Sequence, residues 1–189
     1  MNKWECVLCK ANLDGDCYHA EPIAKGLCCK RCHAIFIMAK TDKEILKAVR
    51  EQSKIYQQTK DKNELPDGEY FFAFSQEQLD KGLAKMRQTT QAEVFNLGMG
   101  GMIGTKKASE ELNKFFAEKE NLIRQTCSPF GVFYYEYANH EGDYGARDSE
   151  FNDEAEQITK EYFPDFNFAD PNNRKVIKAI VDDWRNRCL

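Results

Sequence analysis

The chain has 189 residues, of which 42% are hydrophobic, 31% are charged and five are proline, a composition that excludes a wholly disordered protein. No apolar run approaches the roughly 20 residues of a membrane-spanning helix, so we expect no membrane association. Residues 1–62 hold 12 Lys and Arg against 8 Asp and Glu, whereas residues 63–189 hold 15 against 23. The first part can therefore contact nucleic acid, and the acidic second part disfavours it.

Four cysteines in the first part have the spacing of a metal site. Cys6 and Cys9 form one C-x-x-C pair, Cys29 and Cys32 form a second, and 19 residues separate the two pairs. Two such pairs, each on a tight turn, can place four thiolates around one zinc ion. A segment of about 35 residues buries too little apolar surface to fold alone, so the metal would supply its folding free energy. The spacing predicts a structural Zn²⁺ site.

Neighbouring residues leave alternatives open for this segment. Four of them could replace a ligand: Cys17, His19, Cys28 and His33. A disulfide framework is one alternative, but residues 1–5 show no secretory signal, and the cysteine usage fits a reducing cytoplasm. Residues 29–33 also match the C-x-x-C-H pattern of c-type haem attachment. That pattern gives the first cysteine pair no purpose, so we favour zinc.

Several residues around the cysteines form a wider pattern. It consists of Cys6-Val7-Leu8-Cys9, Gly15, His19-Ala20-Glu21-Pro22 and Gly26-Leu27-Cys28-Cys29-Lys30-Arg31-Cys32-His33. Over about 35 residues this pattern resembles a small zinc ribbon of uncharacterised bacteriophage proteins. His19 and His33 stand where that family tends to have Asn, and Leu27 where it has Arg, so histidine ligation is permitted. The resemblance implies a phage origin and, in that case, a place in the host cytoplasm.

A helix and a linker are predicted after the ribbon. The apolar residues 34–38 indicate either the last strand of the ribbon or the start of a connecting segment. Thr41 and Glu44 form a capping box that begins a helix, predicted over residues 42–60. We expect four segments: a zinc ribbon at 1–40, a connecting helix at 41–62, a linker at 63–68 and an acidic α+β domain at 69–189.

The acidic part has the element order of a ferredoxin-like fold. Strands are predicted at 69–74, 92–97, 102–105 and 131–137, with helices at 75–87 and 109–124. This β-α-β-β-α-β order forms an antiparallel sheet with helices on one face. A polar loop at 139–149 then leads to two closing helices, near 151–163 and 172–187. The predicted class is therefore α+β.

Glycines cluster between the second and third predicted strands. Gly98, Gly100 and Gly101 precede Gly104, and tight hairpins need the positive φ angles that glycine adopts freely. A phosphate-binding loop is the alternative, and it would make the first three glycines binding residues. Residues 104–106 invert the order of a Walker motif, however, and Ile103 stands where a dinucleotide fingerprint needs glycine. The cluster therefore predicts a hairpin.

The polar loop at 139–149 offers the candidate catalytic and binding groups outside the cysteine segment. These groups are Asn139, His140, Glu141, Asp143 and Arg147. The histidine could act as a general base, with Glu141 or Asp143 as its orienting carboxylate or as a metal ligand. Asn139, His140 and Arg147 could instead bind a ligand or partner, and a solvated loop is the simplest interpretation.

Aromatic residues crowd the first and fourth predicted strands. Tyr70, Phe72 and Phe74 share one face by alternation. Exposed aromatics on such a sheet can stack RNA bases, but the RNA-recognition sequence pattern is missing and this part of the chain is acidic. We therefore expect them to pack in a core.

The absence of a catalytic signature favours a protein that is not an enzyme. With the resemblance, it predicts a zinc-binding accessory protein that binds and modulates a host protein, including one of host defence. An acidic surface would suit a basic partner. The first alternative is a nucleic-acid-binding module that contacts phosphate through Lys25, Lys30, Arg31 and Lys40. The second is a hydrolase or nucleotide-binding enzyme that uses residues 139–149 and the glycine loop at 98–104.

Overall fold

The structure of the chain, a computed structural model, describes residues 5–10, 13, 16–61, 65, 68–89, 93–98, 100–141 and 153–187. It combines helices with two small antiparallel sheets. Contacts divide the chain into two compact units, one of residues 1–62 with 121–189 and one of residues 63–120. The division after residue 62 coincides with a predicted segment boundary, and residues 121–189 group with residues 1–62.

The first unit begins with a two-stranded ribbon that leads directly into a helix. β1 (Cys17–His19) pairs antiparallel with β2 (Leu27–Cys29). α1 (Lys30–Cys32) follows β2 without a loop and continues as a π-helix, His33–Met38. The Ala39 N–H donates to Ala34 O at 3.2 Å, five residues back, which closes the π-helix. The apolar residues 34–38 are thus helical, and the strand that was one of the two predictions for them is wrong.

Four longer helices complete the first unit. α2 (Asp42–Asp61) confirms the helix predicted from the capping box. In this box the Glu44 N–H donates to Thr41 Oγ1 at 3.3 Å, and the Thr41 N–H donates to Glu44 Oε2 at 3.1 Å. The two closing helices are also confirmed, the second with Asp170 as its cap. The bounds are α2 (Asp42–Asp61), α5 (Pro129–Glu141), α6 (Asp153–Tyr162) and α7 (Pro171–Arg187), with α3 and α4 given below.

The core of the first unit surrounds α5. Helices α2, α6 and α7 all contact this helix. The largest fully buried side chains of this core come from α2, α5, α7, the π-helix and residues 121–126: Ile35, Val49, Tyr56, Ile123, Phe130, Val132, Phe133, Ile177 and Ile180. The π-helix joins the same core, because the ring of Phe36 packs edge-on against Phe130 with centroids 5.5 Å apart.

The fourth strand predicted at 131–137 is wrong, because these residues lie in α5, and the ferredoxin-like order is not confirmed. A helix buried on nearly all sides has the continuous apolar composition of a buried strand, so composition did not separate the two. The start signal was present at Ser128 and Pro129. The Gly131 N–H donates to Ser128 Oγ at 3.1 Å, and proline occupies the first helical position.

Gly131 allows α2 and α5 to approach closely. A Cβ atom at this position would lie 2.8 Å from the carbonyl carbon and 2.9 Å from the Cβ of Gln52. We expect Gly131→Ala to lower the free energy of unfolding by about 1–3 kcal/mol, because the two helices must separate to admit the methyl group. Urea denaturation followed by circular dichroism measures this change. Asn139→Ala, at an exposed position of the same helix, is the control and should be close to neutral.

The second unit contains a three-stranded antiparallel sheet and two helices. The central strand β5 (Met102–Thr105) pairs with β3 (Tyr70–Phe72) on one side and with β4 (Val94–Asn96) on the other. α3 spans Gln76–Thr89, and α4 spans Lys106–Thr126, of which residues 121–126 belong to the first unit. The three strands and two helices predicted before residue 126 are confirmed.

The glycine cluster forms the predicted β4–β5 hairpin. Gly98, Gly100 and Gly101 have φ angles of 75°, 56° and 87°. These angles are left-handed, where side chains with a Cβ are strained. The Leu97 N–H donates to Met102 O at 2.9 Å, so the hairpin closes directly beyond the paired residues.

In the part of the chain that the structure describes, no helix combines the length and apolarity needed to cross a membrane.

Candidate metal centre

Four buried cysteine sulfurs lie together near the N-terminus. The Sγ atoms of Cys6, Cys9, Cys29 and Cys32 are all within 4.8 Å of one another. None of these four side chains is more than 7% exposed. They are the residues whose spacing predicted the site, and they could hold a metal ion.

Three different local structures position these four sulfurs. Cys6 and Cys9 flank a turn in which the Lys10 N–H donates to Cys6 O at 2.9 Å and Lys10 has a φ of 62°. Cys29 ends β2, and Cys32 ends α1. The prediction of two tight turns therefore holds for the first pair, whereas the second pair spans a strand–helix junction. One helical turn brings the side chains of that pair to the same side of the chain.

The sulfur geometry fits a tetrahedral ion and not a disulfide. The Sγ atoms of Cys9 and Cys29 are 3.8 Å apart. A tetrahedron with metal–sulfur bonds of about 2.3 Å has edges of about 3.8 Å, whereas the two sulfurs of a disulfide are about 2.05 Å apart. The Cys29 N–H also donates to Cys6 Sγ at 3.4 Å, which stabilises negative charge on that sulfur. Four thiolates suit zinc or an iron–sulfur centre.

Hydrogen bonds among the four sulfurs lower the pKa of two of the cysteines and raise the pKa of the other two. Hydrogen bonds with Cys29 and Cys32 lower the pKa of Cys6, and the hydrogen bond with Cys32 is the main cause that lowers the pKa of Cys29 to about 6. The pKa values of Cys9 and Cys32 are raised, chiefly by their hydrogen bonds with Cys29. These hydrogen bonds therefore favour the thiolate at Cys6 and Cys29 and the thiol at Cys9 and Cys32.

Metal binding should release the protons of the two thiols. A bound metal requires all four sulfurs as thiolates, so we expect about two protons to leave per metal ion at neutral pH. Below the pKa of Cys29, about 6, that thiolate is protonated as well, so proton release rises and the apparent affinity falls. Titration calorimetry in buffers of different ionisation enthalpy measures the proton count. A metal affinity that is unchanged across this pH range would contradict the assignment.

The four possible substitute ligands lie outside this group of sulfurs, as far as the described residues extend. Cys17 is exposed, and Cys28 is buried with its Sγ donating to His19 O at 3.7 Å. The His19 ring is exposed and lies 3.5 Å from a carboxylate oxygen of Glu21. His33 stacks on Tyr18 with ring centroids 4.5 Å apart.

His140 lies in the last turn of α5 beside a buried carboxylate. Its Nε2 is 3.3 Å from Glu136 Oε2, and its Nδ1 is 3.4 Å from Glu154 Oε1. Glu136 is fully buried, and its Oε1 accepts hydrogen bonds from Tyr56 Oη at 2.5 Å and Lys60 Nζ at 2.7 Å. Its Oε2 has no hydrogen-bond partner, although His140 Nε2 lies 3.3 Å away. Burial, together with the Glu136 contact, raises the pKa of the Tyr56 hydroxyl.

The structure describes only part of the loop predicted around His140. Asn139 and His140 were expected to open a polar loop, but both are helical. Asp143 and Arg147 lie outside the described residues, and for Glu141 the structure describes only its place in α5. Among the described residues, the carboxylates beside the histidine come from Glu136 and Glu154. Helical spacing of four residues links Glu136 to His140, so a correct helix prediction would have found this pair.

No protein-family model, curated protein or solved structure matches the chain.

Proposed function

We propose that Cys6, Cys9, Cys29 and Cys32 bind a structural Zn²⁺ ion. The proposal is carried by one observation, the mutual approach of four buried sulfurs to within 4.8 Å. Four protein ligands leave no coordination position for water or substrate, which is typical of structural and not of catalytic zinc. Zinc also fits a set of four thiolates without a redox role.

The ion would hold the cysteine segment against the helices of the first unit. The side chains of Arg31 and Gln52 make this contact: Arg31 Nη1 donates to Gln125 O, and Gln52 Nε2 donates to Arg31 O at 3.4 Å. Since Arg31 lies between two of the ligands, its position depends on the metal-bound turn. The proposed role of zinc is thus to fix α1 and the π-helix on the helical core.

Metal analysis of the purified protein tests this proposal. Plasma mass spectrometry of the full chain should find one zinc ion per molecule. Cys17→Ser should keep that zinc, and Cys32→Ser should lose it, so the pair separates ligand from neighbouring thiol. Iron in the protein, together with a visible absorption band, would identify the site as an iron centre and not a zinc site. A metal-free protein with four reactive thiols would refute the centre.

We further propose that the protein binds a basic segment of a protein partner through an aromatic cluster of the second unit. The rings of Phe72 and Phe74 stack with centroids 6.2 Å apart. These residues and Phe95 are 46%, 74% and 48% exposed, so Phe72 and Phe74 do not pack in the core of the chain as predicted. Large exposed apolar groups that lie together mark interaction sites. The alternation of β3 and its pairing through β5 place Phe72 and Phe95 on one face of the sheet.

Charge indicates the chemistry of this partner. Residues 68–75 and 93–105, which form the sheet and its hairpin, contain two glutamates and no Lys or Arg. Aromatic faces attract Lys and Arg through cation–π interactions, whereas phosphate backbones need basic contacts. A Lys- and Arg-rich protein segment therefore fits this surface better than nucleic acid does. That the partner is a host protein and the chain is of phage origin stay predictions.

A binding assay with defined probes tests this partner class. A fluorescent Lys/Arg-rich peptide should bind the full chain at low salt and more weakly at moderate salt. Phe74→Ser should weaken binding roughly tenfold, a typical loss for an exposed aromatic contact residue. Met38→Ser removes an exposed apolar side chain of the first unit and should leave binding unchanged. Binding of a single-stranded oligonucleotide in place of the peptide would support the nucleic-acid alternative.

A further inference from the structure

The β1–β2 ribbon places an exposed thiol beside one of the four clustered sulfurs. Cys17 lies directly opposite Cys29 in the antiparallel register. Directly opposite residues share a face of the ribbon, with Cβ atoms about 4.5–5.5 Å apart. Cys17 is an exposed free thiol, whereas Cys29 is buried in the cluster. A solvent-exposed thiol therefore lies directly opposite one of the proposed metal ligands.

Hydrogen bonds on the outer side of β2 show which kind of pair this is. Leu27 O accepts from the Val7 N–H at 3.0 Å, and the Cys29 N–H donates to Cys6 Sγ. These two groups of β2 thus point away from β1. Cys17 and Cys29 consequently form a non-hydrogen-bonded pair, in which Cα atoms are about 4.5 Å apart. This separation lies within the roughly 4.4–6.8 Å that a disulfide bridges.

We propose that Cys17 is a site of oxidation by hydroperoxides and that its oxidation joins it to Cys29 and expels the metal ion. This inference rests on the proposed function, because only a bound ion can be expelled. Cys17 is suited to the first step because it is exposed, and thiol oxidation follows accessibility. Cys29 is suited to the second step because it is the cross-strand neighbour.

The two steps balance with hydrogen peroxide as the oxidant. In the first, Cys17 Sγ forms a bond to one peroxide oxygen and the O–O bond breaks. Cys17 becomes a sulfenic acid, and one water molecule leaves. In the second, Cys29 Sγ attacks that sulfur, the S–S bond forms, and the S–O bond breaks. The departing hydroxide takes a proton from solvent. Two sulfurs lose two electrons in total, and peroxide is reduced to two molecules of water.

Cys28 provides a matched control within the same ribbon. It lies opposite Tyr18, on the other face of β2 from Cys29. It is fully buried, so its thiol is not accessible to peroxide. Cys17 and Cys28 are therefore both thiols outside the group of four. They differ in their exposure to solvent and in the residue that lies opposite them in the ribbon.

Zinc release from the full chain tests the inference. The zinc-loaded protein is treated with hydrogen peroxide, released zinc is followed with a chromogenic chelator, and disulfides are mapped by peptide mass spectrometry. Cys17→Ser should release zinc roughly tenfold more slowly than wild type, because the accessible thiol is lost. Cys28→Ser should release it at the wild-type rate. The mapped disulfide should join Cys17 to Cys29.

Two results would overturn the inference. One is a wild-type rate of release from Cys17→Ser, and the other is a disulfide confined to the four clustered cysteines. The zinc content measured before peroxide addition separates this failure from failure of the metal centre. If the untreated protein contains no zinc, the proposed function fails. The mapped disulfide of the peroxide-treated chain then still tests the Cys17–Cys29 pair.

Discussion

Cys32→Ser is expected to remove the metal and to unfold the cysteine segment. Cys32 is fully buried, and its sulfur is one of the four that approach within 4.8 Å. Structural zinc supplies about 10–16 kcal/mol of apparent binding free energy at neutral pH, and a serine hydroxyl is a far poorer ligand than a thiolate. We expect the free energy of unfolding to fall by at least about 4 kcal/mol, since removal of a structural metal is among the largest single-residue effects.

The damage should extend beyond the cysteine segment. Phe36 packs on Phe130, and Arg31 donates to Gln125 O, so an unfolded segment exposes part of the helical core. For a chain of this size a loss of 4 kcal/mol corresponds to a fall in Tm of about 8–16 °C. Scanning calorimetry measures this change, with Cys17→Ser as the control at wild-type stability. A Cys32→Ser protein that melts with the wild type would show that the cluster contributes nothing to folding.

Glu136→Ala is expected to have the second largest effect. The carboxylate is fully buried and accepts hydrogen bonds from Tyr56 and Lys60, so its removal leaves a buried hydroxyl and an ammonium group without their partner. Breaking such a pair costs about 3–5 kcal/mol. Because Lys60 is 38% exposed and can turn to solvent, we expect the lower part of that range.

Urea denaturation of three variants separates the causes of this loss. Glu136→Gln keeps the shape and removes the charge, so it should lose less stability than Glu136→Ala. Glu154→Ala removes the other carboxylate beside His140, which is 62% exposed, and should cost under about 1 kcal/mol. Equal losses for Glu136→Ala and Glu154→Ala would contradict a structural role of the buried cluster.

Local signals in the sequence predicted the four-cysteine cluster and most of the helices and strands. The paired spacing of Cys6 with Cys9 and of Cys29 with Cys32 selected the four residues that the fold brings together. Glycine chemistry predicted the β4–β5 hairpin, and the Thr41 capping box predicted the start of α2. Each of these signals uses residues a few positions apart, which is the range that a sequence pattern records, although the two cysteine pairs lie 19 residues apart.

Features that depend on distant residues were not predicted. Glu136 meets Tyr56 and Lys60 from 76–80 positions along the chain, and no local pattern records that distance. The wrong strand prediction at 131–137 has the same cause. Other helices, from distant parts of the chain, surround this segment on nearly all sides, so its residues are apolar without a helical periodicity. His140 was assigned to a loop for this reason, although Ser128 and Pro129 mark the helix start.

X-ray absorption at the zinc edge tests the central claim most directly. On the purified full-length chain, the account predicts a zinc signal with four sulfur neighbours at about 2.3 Å and no oxygen or nitrogen in the first shell. A shell that contains nitrogen would move ligation to His19 or His33. A protein without zinc, or with an ion bound by oxygen, would contradict the proposed four-cysteine centre.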